Sequence, residues 1–93
     1  LSVALEQDPQ NLMIRDSMAW LYFKIGKYQD ALSAMNVSVE EPLENSEIAY
    51  HLGEIYLKLN DKESAGIFLQ KAVELNNEEK SVQRSIELLK SLE

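Results

Sequence analysis

Apolar residues recur along this chain at helical spacing, in stripes separated by short breaks. Ile14, Met18, Leu21, Tyr22 and Ile25 fall at steps of four, three, one and three, and predict one helix face. After a break at Gly26, Ala31, Leu32, Met35 and Val39 predict a second. Ile48, Leu52, Ile55, Tyr56 and Leu59 form a third stripe. Beyond Asn60, Ala65, Phe68, Leu69, Ala72 and Val73 form a fourth. Val82, Ile86, Leu89 and Leu92 share one face of a last helix over residues 80–93. The pattern predicts five helices, centred near residues 18, 34, 52, 68 and 86. Gly26 and Asn60 stand at equivalent breaks, and both residue types tolerate the left-handed backbone that ends a helix.

The elements repeat. A shift of 34 residues pairs Asn11 with Asn45, Ile14 with Ile48, Tyr22 with Tyr56, Lys24 with Lys58, Ala31 with Ala65 and Val39 with Val73. Met18 and Leu52, Ala19 and Gly53, Ile25 and Leu59, and Met35 and Leu69 are conservative pairs at the same shift. One shift without an insertion covers them all, so each unit is two antiparallel helices joined by a tight turn. Ala19, Gly53, Ala31 and Ala65 are small where paired helices must approach closely. Tyr22, Tyr56 and the Leu and Met residues fill the space between turns. Gly53 inside a helix costs roughly 1 kcal/mol against alanine, which close packing can offset. Gly66 is also placed mid-helix, and the sequence offers no such reason for it.

The runs Leu52-Gly53-x-x-Tyr56 and Ala65-x-x-x-Leu69 resemble the tetratricopeptide-repeat (TPR) pattern of Leu-Gly, Tyr, Ala and a large apolar residue. Met18-Ala19-x-x-Tyr22 and Ala31-x-x-x-Met35 are similar, with alanine for glycine. Ala4-Leu5-Glu6-Gln7-Asp8-Pro9 resembles the end of a preceding second helix and its closing proline. Two positions depart from the pattern. Arg15 and Ala49 replace its tryptophan, and its closing proline is displaced to Pro42 and then absent at Asn77. The resemblance implies an all-α fold, an α-solenoid of antiparallel helix pairs in one domain over 1–93. Its parts would be the end of an upstream repeat (1–11), two repeats (12–45 and 46–79) and a capping helix (80–93). Asp16-Ser17-Met18-Ala19-Trp20 and Ile48-Ala49-Tyr50-His51-Leu52-Gly53-Glu54 are also similar to C-terminal repeats of bacterial envelope-associated proteins. The expectation is a bacterial-type chain from the C-terminal part of an array.

In the last helix the slots of Gly53 and Tyr56 are filled by Glu87 and Lys90, so its second face is charged, as a solubilising cap requires. At the other end the chain opens at Leu1-Ser2 without an initiator methionine, which suggests a cut from something longer. Leu1, Ala4 and Leu5 would then have lost their cover, and weak dimers through the N-terminal end are expected.

Composition narrows the function. The formal net charge is −7 and basic residues do not cluster, which argues against nucleic acid and against an anionic membrane surface. No apolar run is long enough for membrane insertion. Cysteine is absent, so disulfides and thiolate metal sites are excluded and no metal or cofactor is expected. His51, with Glu47 and Glu54 near it on a helix, reads as part of a solvated face rather than a metal site. Asn36-Val37-Ser38 fits a glycosylation sequon but falls on a predicted helix. No nucleophile or phosphate-loop motif is present, so the chain reads as a non-enzyme. Cytoplasm and bacterial cell envelope both remain open as compartments.

The resemblance places ligands on the concave face of the first helices. Carried onto this chain, that face comprises Met13, Asp16, Trp20, Phe23 and Lys24 in one unit. Glu47, Tyr50, Glu54, Leu57 and Lys58 follow in the next, with Arg84 and Leu88 from the last helix. Trp20 and Phe23 are either ligand anchors or packing for an upstream helix. The lysine-asparagine clamp that holds a terminal carboxylate in some relatives is unmatched, because Asp16 and Trp20 stand in its place. The expected function is a protein–protein interaction scaffold taking a peptide or protein in the groove. The alternative is a self-assembly module of a larger protein.

Overall fold

The computed structural model describes residues 12–35 and 43–92. They form five helices: α1 (Leu12–Lys24), α2 (Tyr28–Met35), α3 (Ser46–Lys58), α4 (Lys62–Leu75) and α5 (Glu79–Leu92). Consecutive helices pack on one another, and α3 also touches α1 and α5. This is the all-α, helix-pair architecture that the stripes predict. The upstream tail (1–11), Val39, Pro42 and the sequon at 36–38 lie outside the described residues.

The 34-residue period extends to individual hydrogen bonds. At the end of α1, Lys27 N donates to Tyr22 O (2.9 Å) and Gly26 N to Phe23 O (3.1 Å). At the end of α3, Asp61 N donates to Tyr56 O (2.9 Å) and Asn60 N to Leu57 O (3.1 Å). Gly26 (φ 85°) and Asn60 (φ 64°) both adopt the left-handed conformation. These are two Schellman turns, which satisfy the carbonyls a helix end leaves open. The sequence breaks are therefore geometrically equivalent.

Starts are capped by short polar side chains. Asn45 Oδ1 accepts from the backbone of Glu47 (2.8 Å) and Ile48 (3.2 Å), and Asp61 Oδ1 accepts from Ser64 N (3.1 Å). Glu78 caps α5 by accepting from Ser81 N (2.9 Å), and its bonds to Ser81, side chain first, hold its carboxyl below the usual glutamate range. Asn77, where the family pattern has proline, acts differently. Its Oδ1 accepts from Ser46 N (2.8 Å), its Nδ2 donates to Glu44 O (2.7 Å), and its own N–H donates to Ser46 Oγ (3.1 Å). Ser46 Oγ also donates to Ala72 O (2.8 Å). This staple ties the start of α3 to the end of α4 through a fully buried serine whose polar groups are partnered.

The core centres on α3. Ile48, Ala49, Leu52 and Ile55 are buried with Ala19, Ala31, Met35, Phe68 and Ala72, and Tyr22 and Tyr56 pack against them. Tyr56 stacks on Phe68, with centroids 5.6 Å apart. A Cβ placed on Gly53 would meet Leu69 Cδ2 at 2.5 Å and Cγ at 2.6 Å, so glycine permits the α3–α4 approach. Gly66 differs: the nearest atom to a Cβ there is Leu92 Cδ1 at 4.0 Å. On α5 Val82 is buried, Ile86, Leu89 and Leu92 are half-buried, and Glu87 and Lys90 are exposed.

One expectation about the core fails. Leu21 and Ile25 belong to the α1 stripe, yet they are 61% and 67% exposed. Their equivalents on α3 are Ile55 and Leu59, and Ile55 is fully buried in the cluster to which α2 contributes Ala31 and Met35. Among the described residues no helix plays the part of α2 for α1. The stripe has the right composition, but the described residues do not cover it.

The two glycines give opposite expectations for one substitution. Gly53→Ala forces a methyl into Leu69, an overpacking cost of about 1–3 kcal/mol that exceeds the helix-propensity gain. Gly66→Ala meets ordinary van der Waals space and should raise stability by about 0.5–1 kcal/mol. Urea unfolding of the two variants checks both signs. Equal effects would contradict the packing assigned to Gly53.

Candidate functional site

The first-helix face is built where α1 and α3 lie side by side. Asp16 is 6% exposed and His51 8%, and His51 Nδ1 lies 2.8 and 3.0 Å from the two carboxylate oxygens of Asp16. This corrects the expectation that His51 sits on a solvated face. Asp16 is likewise not an open ligand contact, because its carboxylate is engaged within the fold. A buried carboxylate needs such a partner, and removing either member would leave the other uncompensated.

Trp20 lies one turn beyond Asp16 and stacks on His51, with centroids 3.8 Å apart and planes 20° apart. Phe23 stacks on the same indole at 4.5 Å and 3°. Two near-parallel partners this close to one ring take opposite faces of it. Tyr28 tilts against Phe23 at 5.3 Å, and Tyr50 tilts against His51 at 5.6 Å. The rings form a continuous stack from the α1–α2 turn across to α3. Trp20 and Phe23, read from sequence as anchors or as upstream packing, are members of this stack. Trp20 offers an edge to a ligand, and its faces are occupied.

Farther along, Tyr50 Oη donates to Glu54 Oε2 (2.8 Å), and Arg84 on α5 pairs with Glu87 (3.0 Å). Burial, and next the bond to Glu54, raise the Tyr50 hydroxyl above the usual tyrosine value, while the nearby Arg84 opposes the rise. Met13, Lys24, Lys58 and Arg84 are exposed, whereas Glu47, Leu57 and Leu88 are half-buried. A hollow of about 430 Å³ opens between α1 and α3, lined by Asp16, Ser17, Trp20, Leu21, Lys24, Glu47 and His51. It gathers Asp16, Trp20, Lys24 and Glu47 from the expected face, and adds Ser17, Leu21 and His51, which the residue pattern does not mark.

Chemically, this is a recess with an aromatic wall and one lysine and one glutamate among its lining residues. Among the described residues no group of three or more His, Asp and Glu side chains could hold a metal. No described helix is long and apolar enough to cross a membrane.

Trp20→Ala removes the middle of the ring stack. For a half-buried indole the expected cost is about 2 kcal/mol, a fall of roughly 10 °C in melting temperature for a domain of this size. Thermal unfolding followed by circular dichroism checks it. An unchanged melting temperature would mean that the stack contributes nothing to stability.

The fold agrees with comparison to known families. A family model described as the tetratricopeptide repeat matches residues 46–79, which are α3, α4 and the loop leading to α5. No curated protein and no solved structure gave a significant match. Such repeats are generally protein–protein interaction modules, and the fold is a non-catalytic one. Residues 46–79 are thus a tetratricopeptide repeat, and the unit before them ends its first helix in a turn of the same geometry 34 residues earlier.

Proposed function

We propose that the chain is an interaction scaffold that holds an extended segment of a partner protein against the face shared by α1 and α3. The observation that carries this reading is the hollow of about 430 Å³ between the two helices. It lies within the volume range of small-ligand sites, and its wall is fixed by the ring stack and the Asp16–His51 pair. A preformed recess spares the ligand the cost of ordering the site. The charged last helix would close the downstream end of the array as a cap.

Self-assembly is a second reading, favoured by a separate observation. Met18, Leu21, Tyr22 and Ile25 line an apolar hollow of about 260 Å³ on α1. A second copy seated there would supply the cover that α2 supplies to α3.

The absence of cysteine allows one experiment to separate these readings. Single cysteines replace Ser17 at the groove, Ile25 on the α1 patch or Gln70 on exposed α4, and each carries a photo-crosslinker. Peptides selected from a random displayed library should crosslink from Ser17→Cys and not from Gln70→Cys. Crosslinks between copies from Ile25→Cys alone would favour self-assembly. Peptide crosslinks distributed equally over the three sites would contradict the groove.

A further inference from the structure

The charges on the groove face are not equally available. Asp16 is held by His51 at 2.8 Å, and Glu54 accepts from Tyr50 at 2.8 Å. On the neighbouring α5, Glu87 is paired with Arg84 at 3.0 Å. These anions are engaged within the fold. Lys24 and Lys58 are exposed, and neither has an ion-pair partner among the described residues. They occupy the same place in successive units, 34 residues apart, each in the last turn before a Schellman turn. Lys24 also borders the hollow beside Trp20 and Leu21.

The remaining anion of the hollow is Glu47. It stands in the first turn of α3, where the helix N-terminus stabilises a negative charge. The last turns of α1 and α3 similarly favour lysine, but that preference supplies no counter-anion. Two exposed cations therefore stand at equivalent positions of α1 and α3, one of them lining the hollow, in a chain whose net charge is −7. On an acidic surface, cations repeated along one face would favour an acidic ligand there.

We propose that the segment bound by this chain is acidic: an extended peptide whose carboxylates meet Lys24 and Lys58 while an apolar side chain enters the hollow beside Trp20. This rests on the groove reading above, and the test separates the two. Trp20 is the sole tryptophan and borders the hollow, so its fluorescence reports occupancy directly. Short blocked peptides share the same leucines in a serine background and carry glutamate, glutamine or lysine at the remaining positions.

At low salt the glutamate peptide should bind about tenfold more tightly than the glutamine peptide, as two exposed ion pairs near the upper end of their range allow. The lysine peptide should bind most weakly, and added salt should erase the differences. The double variant Lys24→Glu/Lys58→Glu, with its helicity checked by circular dichroism, should reverse the order. Equal binding of the glutamate and glutamine peptides would overturn the acidic preference and leave the groove standing. A tighter lysine peptide would overturn it as well. If no peptide perturbs Trp20, the groove reading fails together with the inference.

Discussion

A helix pair of this kind cannot cover its own apolar surface, and the helix that resolves this constraint is α3. It touches each of the other described helices, and seven of its residues are buried. Leu52 and Ile55 pack with Ala31 and Met35 of α2, while Gly53 admits Leu69 of α4. His51 holds Asp16 of α1. One helix thus serves both as half of its own pair and as the surface on which the preceding pair rests. Stability in such stacks is a sum of unit terms and neighbour terms, and α3 carries most of the neighbour terms here.

The same geometry creates the groove. Because α1 and α3 repeat at one interval, their outward faces lie side by side. The space between them is walled by stacked rings and the buried Asp16–His51 contact, with the exposed Lys24 among its lining residues. By occupying each other's faces the rings fix the shape of the recess. Surface that is rigid, recessed and unevenly charged suits recognition of an extended segment, with little reordering of the host.

Much of this was legible in the sequence. The 34-residue shift pairs Tyr22 with Tyr56 and Gly26 with Asn60, and both turns repeat bond for bond. The small residue at Gly53 predicts a close approach, because a packed interface cannot be met by a larger side chain. Three features were not legible. Leu21 and Ile25 are apolar in the correct period, but periodicity records which face seeks cover and not whether cover is present. The Asp16–His51 pair joins residues 35 apart, and polar residues at helical spacing are ordinarily solvated. The Ser46–Asn77 staple replaces a proline with side-chain hydrogen bonds, a substitution that a family pattern registers only as a mismatch.

The central claim is that α3 is the buried hub and that α1 is, among the described helices, the partly uncovered one. Native-state hydrogen exchange followed by NMR measures this helix by helix, because local opening reports the cover each segment has. The slowest amides should lie in α3, with α1 exchanging faster through openings that leave α3 and α4 intact. Amides in α1 that exchange as slowly as those of α3, or an α3 that opens first, would contradict the account.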